Sequence, residues 1–280
     1  MTNLGFSTNA FKRNTLEEAI DTIARAGYSG VELMADIPHA YPPSIDSAAR
    51  LRIKHRIDSL GLEVSNINAF TFFAVGDTYH PTWIEIDERY RELRIEHTMG
   101  CIELANEMEC GTISVQPGGP MIGCAEDRAM AERRFADGLE RLLPLAERKN
   151  VAIAVEPEPG LLIQTAAEYQ EFKTAYFRGD RRIQMNCDIG HLFCVGEDPA
   201  RVIREMGMEI AHVHLEDIGA NRVHQHLTPG KGVIDFRSIF AALGEIGYGG
   251  WVTVELYPYE TTAAGVAKLA WEHLGKVLAV

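Results

Sequence analysis

Cysteine is scarce and unpaired in this chain. Its five copies (Cys101, Cys110, Cys124, Cys187 and Cys194) are odd in number and form no C-x-x-C pair, which argues against a disulfide framework and points to reduced thiols in the cytoplasm. Long apolar runs are missing as well: none approaches the ~18 residues a spanning helix needs, and the opening "MTNLGFSTNAF" has no basic segment followed by an apolar one, so a soluble protein is expected. Basic charge is in deficit, with 27 Lys and Arg against 40 Asp and Glu and a net charge of −13, which predicts repulsion from phosphate backbones and anionic membranes. Neither nucleic acid nor membrane is therefore expected as a partner. No G-x-G-x-x-G or G-x-x-x-x-G-K-[ST] follows the first apolar run, which weakens an open dinucleotide- or nucleotide-binding sheet.

What is present is a large core and a regular alternation. The 280 residues are 46% hydrophobic, enough for one domain of barrel size spanning 1–280. Strand-like runs start at Leu4, Gly30, Glu63, Thr112, Val151, Ile183, Ile210 and Trp251, separated by helical patterns. "TLEEAIDTIARAG" shows Thr15 as N-cap with Glu18 three residues on and Gly27 as the stop; "DFRSIFAALGEIG" starts at the cap Asp235 and stops at Gly247. Eight βα units without a duplicated half predict an α/β fold, a single (β/α)8 TIM barrel.

In such a barrel chemistry belongs at the carboxyl ends of the strands. There "VEPEPG" (Val155 to Gly160) puts two glutamates after a small apolar run. Alternation sets Ala152, Ala154 and Glu156 on one face, and the same parity groups Asn186 with Asp188, His212 with His214, and Thr253 with Glu255. A strand-end carboxylate alone can be a helix cap or an ion-pair partner, and a strand histidine can be a hydrogen-bonded core residue. Three carboxylates and an imidazole aimed at one mouth, however, repel and suffer desolvation unless a cation compensates them. Three oxygen donors and one nitrogen suit one divalent ion, Mn2+ first, with Co2+, Mg2+ or Zn2+ as alternatives.

The series Glu156, "DIGH" (Asp188 to His191), "HVHLED" (His212 to Asp217), "PGKGVIDF" (Pro229 to Phe236) and "GYGGWVTVEL" (Gly247 to Leu256) resembles the sugar isomerase/epimerase barrels related to D-tagatose 3-epimerase. The resemblance implies that Glu156, Asp188, His214 and Glu255 bind the metal, with Glu156 and Glu255 also acting as acid and base. Metal chelation of a carbonyl and its neighbouring hydroxyl acidifies the adjacent C–H, and two carboxylates can exchange the proton through an enediolate. Substrate contacts are expected from His191, Glu158, His226, Gln116 and Trp83, and, on the family's arginine segment, from Arg222. Glu32 is a further pocket candidate, with an internal barrel hydrogen bond as its other reading. The aromatic segment from Phe70 to Asp87 reads as a lid or as a small satellite core.

These features predict a metal-dependent isomerase or epimerase of a small sugar or related polyhydroxy carbonyl compound. A dehydratase acting on a keto-sugar or keto-cyclitol is the nearest competitor, because the same enolate can expel a β-hydroxyl; extra acids such as Glu158, His224 or His226 would favour it. "HQH" (His224 to His226) also raises an apurinic-endonuclease-like zinc phosphodiesterase, but that branch needs histidines where this chain has "NINAF" and "QPGG". A non-catalytic barrel comes last. The expected partner is a carbohydrate, and apolar positions on the terminal helix "AGVAKLAWEHLGKVLAV" would suit a homodimer or homotetramer.

Overall fold

Eight parallel strands close into a barrel in sequence order: β1 (Asn3–Ser7), β2 (Gly30–Met34), β3 (Glu63–Asn68), β4 (Thr112–Val115), β5 (Ala152–Val155), β6 (Ile183–Asp188), β7 (Ile210–Leu215) and β8 (Trp251–Val254), with β8 pairing back on β1. The structure is a computed structural model that describes residues 3–124 and 127–279. Helices cover the outside: α1 (Leu16–Ala26), α2 (Ser47–Ser59), α3 (Glu88–Glu107), α4 (Arg128–Lys149), α5 (Ala166–Tyr176), α6 (Ile189–Cys194), α7 (Pro199–Met206), α8 (Phe236–Glu245) and α9 (Ala263–Leu278). No helix among the described residues is long and apolar enough to cross a membrane.

Local signals account for the elements. Thr15 accepts from the Glu18 amide while the Glu18 carboxylate accepts from the Thr15 amide, and Gly27 ends α1 at φ 108°, a left-handed value a glycine adopts without a Cβ clash. Leu16, Ala19, Ile20 and Ile23 recur at helical spacing and are the residues α1 buries. On the strands, Val31, Leu33, Ile113, Val115, Ile153, Val155, Met185, Val213, Leu215, Val252 and Val254 alternate outward into the core beneath the helices. Each such side chain contributes ~1.5–3 kcal/mol on burial. That outer layer leaves the barrel interior free to be polar, and Glu32, Asn66, Ser114, Asn186, His212, His214 and Thr253 fill it.

Two bulges break the alternation. Between β2 and β3, Val31 pairs with Val64 but Glu32 with Asn66, so Ser65 is the extra residue. Ser65 Oγ still lies inside, 3.0 Å from Thr253 Oγ1, and Asn66 directly after it also points inward, its Nδ2 donating to Glu32 Oε2 at 2.9 Å and to Ser114 Oγ at 2.9 Å. Between β6 and β7, Met185 pairs with Ile210 but Asn186 with His212, which makes Ala211 the extra residue.

The long connection from β3 to α3 is anchored rather than loose. Buried Arg94 on α3 donates from Nε to Pro81 O (2.8 Å) and from Nη1 to Phe70 O (3.0 Å), and Asp36 accepts from the amides of Phe73 and Ala74. Trp83, expected at the substrate, is instead a core residue: its ring is fully buried and packs on Phe135 with centroids 5.6 Å apart. Phe72 likewise stacks on His97 at 4.4 Å. The satellite-core reading holds for both of these aromatics, whereas Phe70, Phe73 and Tyr79 of the same segment reach the barrel mouth.

The loop after β7 is organised by one carboxylate. Asp217 accepts from the amides of Ile218 (3.0 Å), Gly230 (2.9 Å), Gly232 (2.8 Å) and Ile234 (3.0 Å), and its backbone pairs with Leu227. Charge-assisted bonds to four amides fix the loop that carries His224 and His226.

Candidate active site

The mouth at the carboxyl ends of the strands opens into a cavity of about 170 Å³ whose lining includes Glu156, Glu158, Glu255, His191, His224 and His226. Glu156 follows β5, Asp188 ends β6, His214 lies near the end of β7 and Glu255 follows β8. One donor atom from each lies within 4.8 Å of the others, and all four residues are buried. The parity deduced from the sequence thus brings this quartet together.

His214 is the hinge of the cluster. Its Nδ1 lies 2.7 Å from Glu156 Oε1, 3.9 Å from Asp188 Oδ2 and 3.8 Å from Glu255 Oε2, while its Nε2 lies 2.6 Å from Glu32 Oε2. Burial by itself would lower the basicity of His214, but the charges of Glu32, Glu156 and Glu255 outweigh it and hold the ring well above an ordinary histidine. Burial pushes Glu32 the other way, yet the His214 charge and bonds from His212 and His214 keep it well below the usual carboxylate range. Glu32 is therefore an anion that orients His214 from behind and aims Nδ1 at the carboxylates, the arrangement that supports a metal-ligating imidazole.

The rest of the cluster is short of positive charge. Burial raises both Glu156 and Glu255, and for Glu255 burial, joined by the charges of Glu156, Glu32 and Asp188, prevails over the opposing His214. Asp188 Oδ2 has no hydrogen-bond partner although it is buried, whereas Oδ1 accepts from the His191 amide at 2.7 Å. Glu216 is buried beside Asp188, and burial with the Asp188 charge pushes it far upward, so it is held neutral. Three carboxylates, one imidazole and an orphaned carboxylate oxygen fit a divalent cation held by Glu156, Asp188, His214 and Glu255.

Neighbouring asparagines set the outer carboxylate. Asn9 Nδ2 donates to Glu255 Oε1 at 2.8 Å, and Asn68 Nδ2 donates at 3.1 Å both to Glu255 Oε1 and to Glu32 Oε1. Neither residue carries a motif, so neither was expected here. Glu216 was within reach of the parity argument, since it continues the row His212, His214 by two residues. Gly190, at the start of α6, lies against it: a Cβ there would come within 1.7 Å of Glu216 Oε1.

Three imidazoles line one side. His191 Nδ1 lies 3.1 Å from Pro157 O, His226 Nδ1 3.0 Å from Glu255 O, and the Nε2 atoms of His224 and His226 are 3.2 Å apart. Burial depresses His191 to about 3 and His226 to about 4, so both rings are neutral. Glu158 also faces the cavity, where Tyr79 Oη donates to its Oε1 at 2.8 Å. Burial and the Glu156 charge push Glu158 up to about 8, which leaves it protonated at neutral pH.

Two other expected contacts lie elsewhere. Gln116 turns away from the cavity and donates from Nε2 to the carbonyls of Thr78 and Tyr79, each at 3.0 Å, because those loop carbonyls need a donor. Arg222 is exposed, with a left-handed φ of 56° that directs its guanidinium over the Phe193 ring at 4.6 Å. Asn68 and Gln116 occupy the ends of β3 and β4, where the phosphodiesterase reading required histidines.

Fold and site together define a (β/α)8 enzyme with a buried carboxylate–imidazole cluster at its catalytic mouth. The chain belongs to the xylose isomerase-like TIM barrel family, which residues 20–274 match, and is an enzyme of that sugar-modifying group. It is 29% identical over 266 residues to inosose dehydratase from Klebsiella pneumoniae (strain 342), covering 86% of this chain and 82% of that protein. It is 28% identical over 270 residues to inosose dehydratase from Clostridium beijerinckii, covering 87% and 83%. Among solved structures, a D-tagatose 3-epimerase-like protein superposes with a TM-score of 0.81 at 21% identity, covering 99% of each chain. The IOLI protein with a bound zinc atom gives 0.80 at 19% identity, covering 99% of this chain and 98% of that one.

Proposed function

We propose that this protein is a divalent-metal-dependent lyase that removes water from a small keto-polyol, a keto-cyclitol in the first instance. The observation that carries this reading is Glu158: a second buried carboxyl, beyond the four-donor cluster, faces the cavity with one oxygen held by Tyr79. The similarity to inosose dehydratases over most of the chain supports the same choice.

Glu156, Asp188, His214 and Glu255 would hold the cation, with Mn2+ proposed from a donor set rich in oxygen and free of thiolate. When bound, it supplies Lewis acidity toward the carbonyl and adjacent hydroxyl of the substrate. A carboxylate of the Glu156 and Glu255 pair takes the proton from the carbon beside the carbonyl. Glu158 gives its proton to the β-hydroxyl, the C–O bond breaks and water leaves. The C–H and C–O bonds are exchanged for a C=C bond, and the resulting enol tautomerises to a 1,2-dione. Asn9 and Asn68 keep Glu255 in place, while the neutral rings of His191 and His226 offer hydrogen bonds to ring hydroxyls.

Epimerisation is the second reading, favoured by the presence of Glu156 and Glu255 in one cluster, where one can remove and the other return a proton. Product analysis in D2O with Mn2+ separates the two. Dehydration predicts a product lighter by one water from a keto-cyclitol; a product of unchanged formula carrying solvent deuterium would replace the lyase reading with the epimerase.

A further inference from the structure

A second group of metal-ligating side chains lies outside the barrel mouth, where the loop between β3 and α3 meets the loop between β4 and α4. His80 Nδ1 is 2.9 Å from Glu85 Oε1 and 3.8 Å from Cys124 Sγ, and Cys124 Sγ is 3.7 Å from Glu85 Oε2. One imidazole nitrogen faces both the carboxylate and the thiol. That geometry excludes a proton relay, which would use the two nitrogens separately, and leaves convergence on a common point. Tetrahedral zinc requires about 3.6 Å between sulfur and its nitrogen or oxygen neighbours and about 3.3 Å between nitrogen and oxygen. The observed separations are within half an ångström of those values, with Glu85 turning Oε1 to His80 and Oε2 to Cys124.

We propose that Cys124, His80 and Glu85 form a second cation site, for a zinc-class divalent ion, that clips these two loops together on the outer wall of the cavity. The supports are already built. Glu85 Oε1 also accepts from the Thr82 amide at 3.0 Å, Asp77 Oδ1 accepts from the His80 amide at 2.7 Å, and Arg134 Nη1 donates to the carbonyls of Ile84 and Cys124. Cys124 is 1% exposed, which disfavours a nucleophilic role, while the His80 side chain is 43% exposed and leaves the fourth position open to water. The nearby His97 and Cys101 pair differs, because buried Arg94 beside it repels a cation. Loading breaks the Cys124 S–H bond and releases that proton to solvent, while the His80 ring proton, donated to Glu85 from Nδ1 before loading, moves to the outer Nε2. The residue after Tyr79 thereby becomes a ligand, so the clip steadies the tyrosine that holds Glu158.

The test is a Co2+ titration of the full chain after chelation. The barrel-mouth donors contain no sulfur, so a thiolate-to-Co2+ charge-transfer absorption in the near ultraviolet reports the clip alone. We expect it to saturate by two equivalents, with the barrel mouth taking the other ion, and we expect Cys124→Ser to abolish it, His80→Ala to weaken binding at least tenfold, and Glu156→Gln to leave it intact. Absence of the band, or its persistence in Cys124→Ser, overturns the proposal. Should Cys124→Ser fail to fold by circular dichroism, His80→Ala decides alone, and an unchanged affinity in that variant overturns the site. The outcome is independent of which reaction the barrel mouth performs.

Discussion

At the scale of single residues, the carboxylate behind His214 matters as much as those in front. Glu32 makes a 2.6 Å contact to Nε2 and is itself held by Asn66 and Asn68. Glu32→Gln is expected to lower metal affinity by about 10–100-fold with the fold retained, as measured by metal titration and circular dichroism. A Glu158→Gln variant is expected to lose about 10²–10⁴ in kcat for dehydration while its metal content stays at the wild-type level. His97 carries a prediction about acid. It is buried against Phe72, and burial followed by the Arg94 charge depresses it from 6.5 to about 3. A neutral folded ring that protonates on unfolding adds stability fully above its unfolded pKa, and that increment erodes as pH falls from 6.5 toward about 3. His97→Leu should flatten this limb, removing up to about 1.4 kcal/mol per pH unit from the slope of urea-derived stability.

At the scale of elements, the loop after β7 depends on Asp217. Asp217→Ala leaves four amides without their acceptor, and a loss of about 3 kcal/mol in unfolding free energy is expected, together with faster hydrogen exchange from Gly230 to Ile234. Unchanged exchange there would show that Leu227 pairing alone suffices. Alternation and caps made the strands and helices legible, as Thr15, Glu18 and Gly27 illustrate, and parity placed Glu156, Asp188, His214 and Glu255 on one mouth. It missed Asn9 and Asn68 because an asparagine at a strand end reads equally as turn chemistry. Trp83, Gln116 and Arg222 were misplaced for a common reason: each lies on or beside a long connection, where no period fixes which way a side chain faces.

At the scale of the whole molecule, the proposed cation, held by side chains at the ends of four separate strands, would tie distant parts of the chain together. Binding to the folded state alone stabilises by about 2.7 kcal/mol at a hundredfold excess over Kd. Mn2+ should therefore raise Tm by about 5 °C over the chelated protein in a thermal-shift assay; equal melting with and without metal would contradict the donor set. The net charge of −13 contributes in the same direction, because it concentrates cations near an acidic mouth.

The extra residue at Ser65 has a consequence for how this barrel tolerates change. Up to that point β3 sends odd-numbered side chains inward, and beyond it even-numbered ones, so the strand changes phase in mid-course. Deleting this one amino acid would restore plain alternation, because Val64, facing out, is then followed directly by Asn66, facing in. Asn66 and Asn68 would keep their inward aim and Glu32 its amide donors, and the barrel would lose only the hydroxyl that meets Thr253.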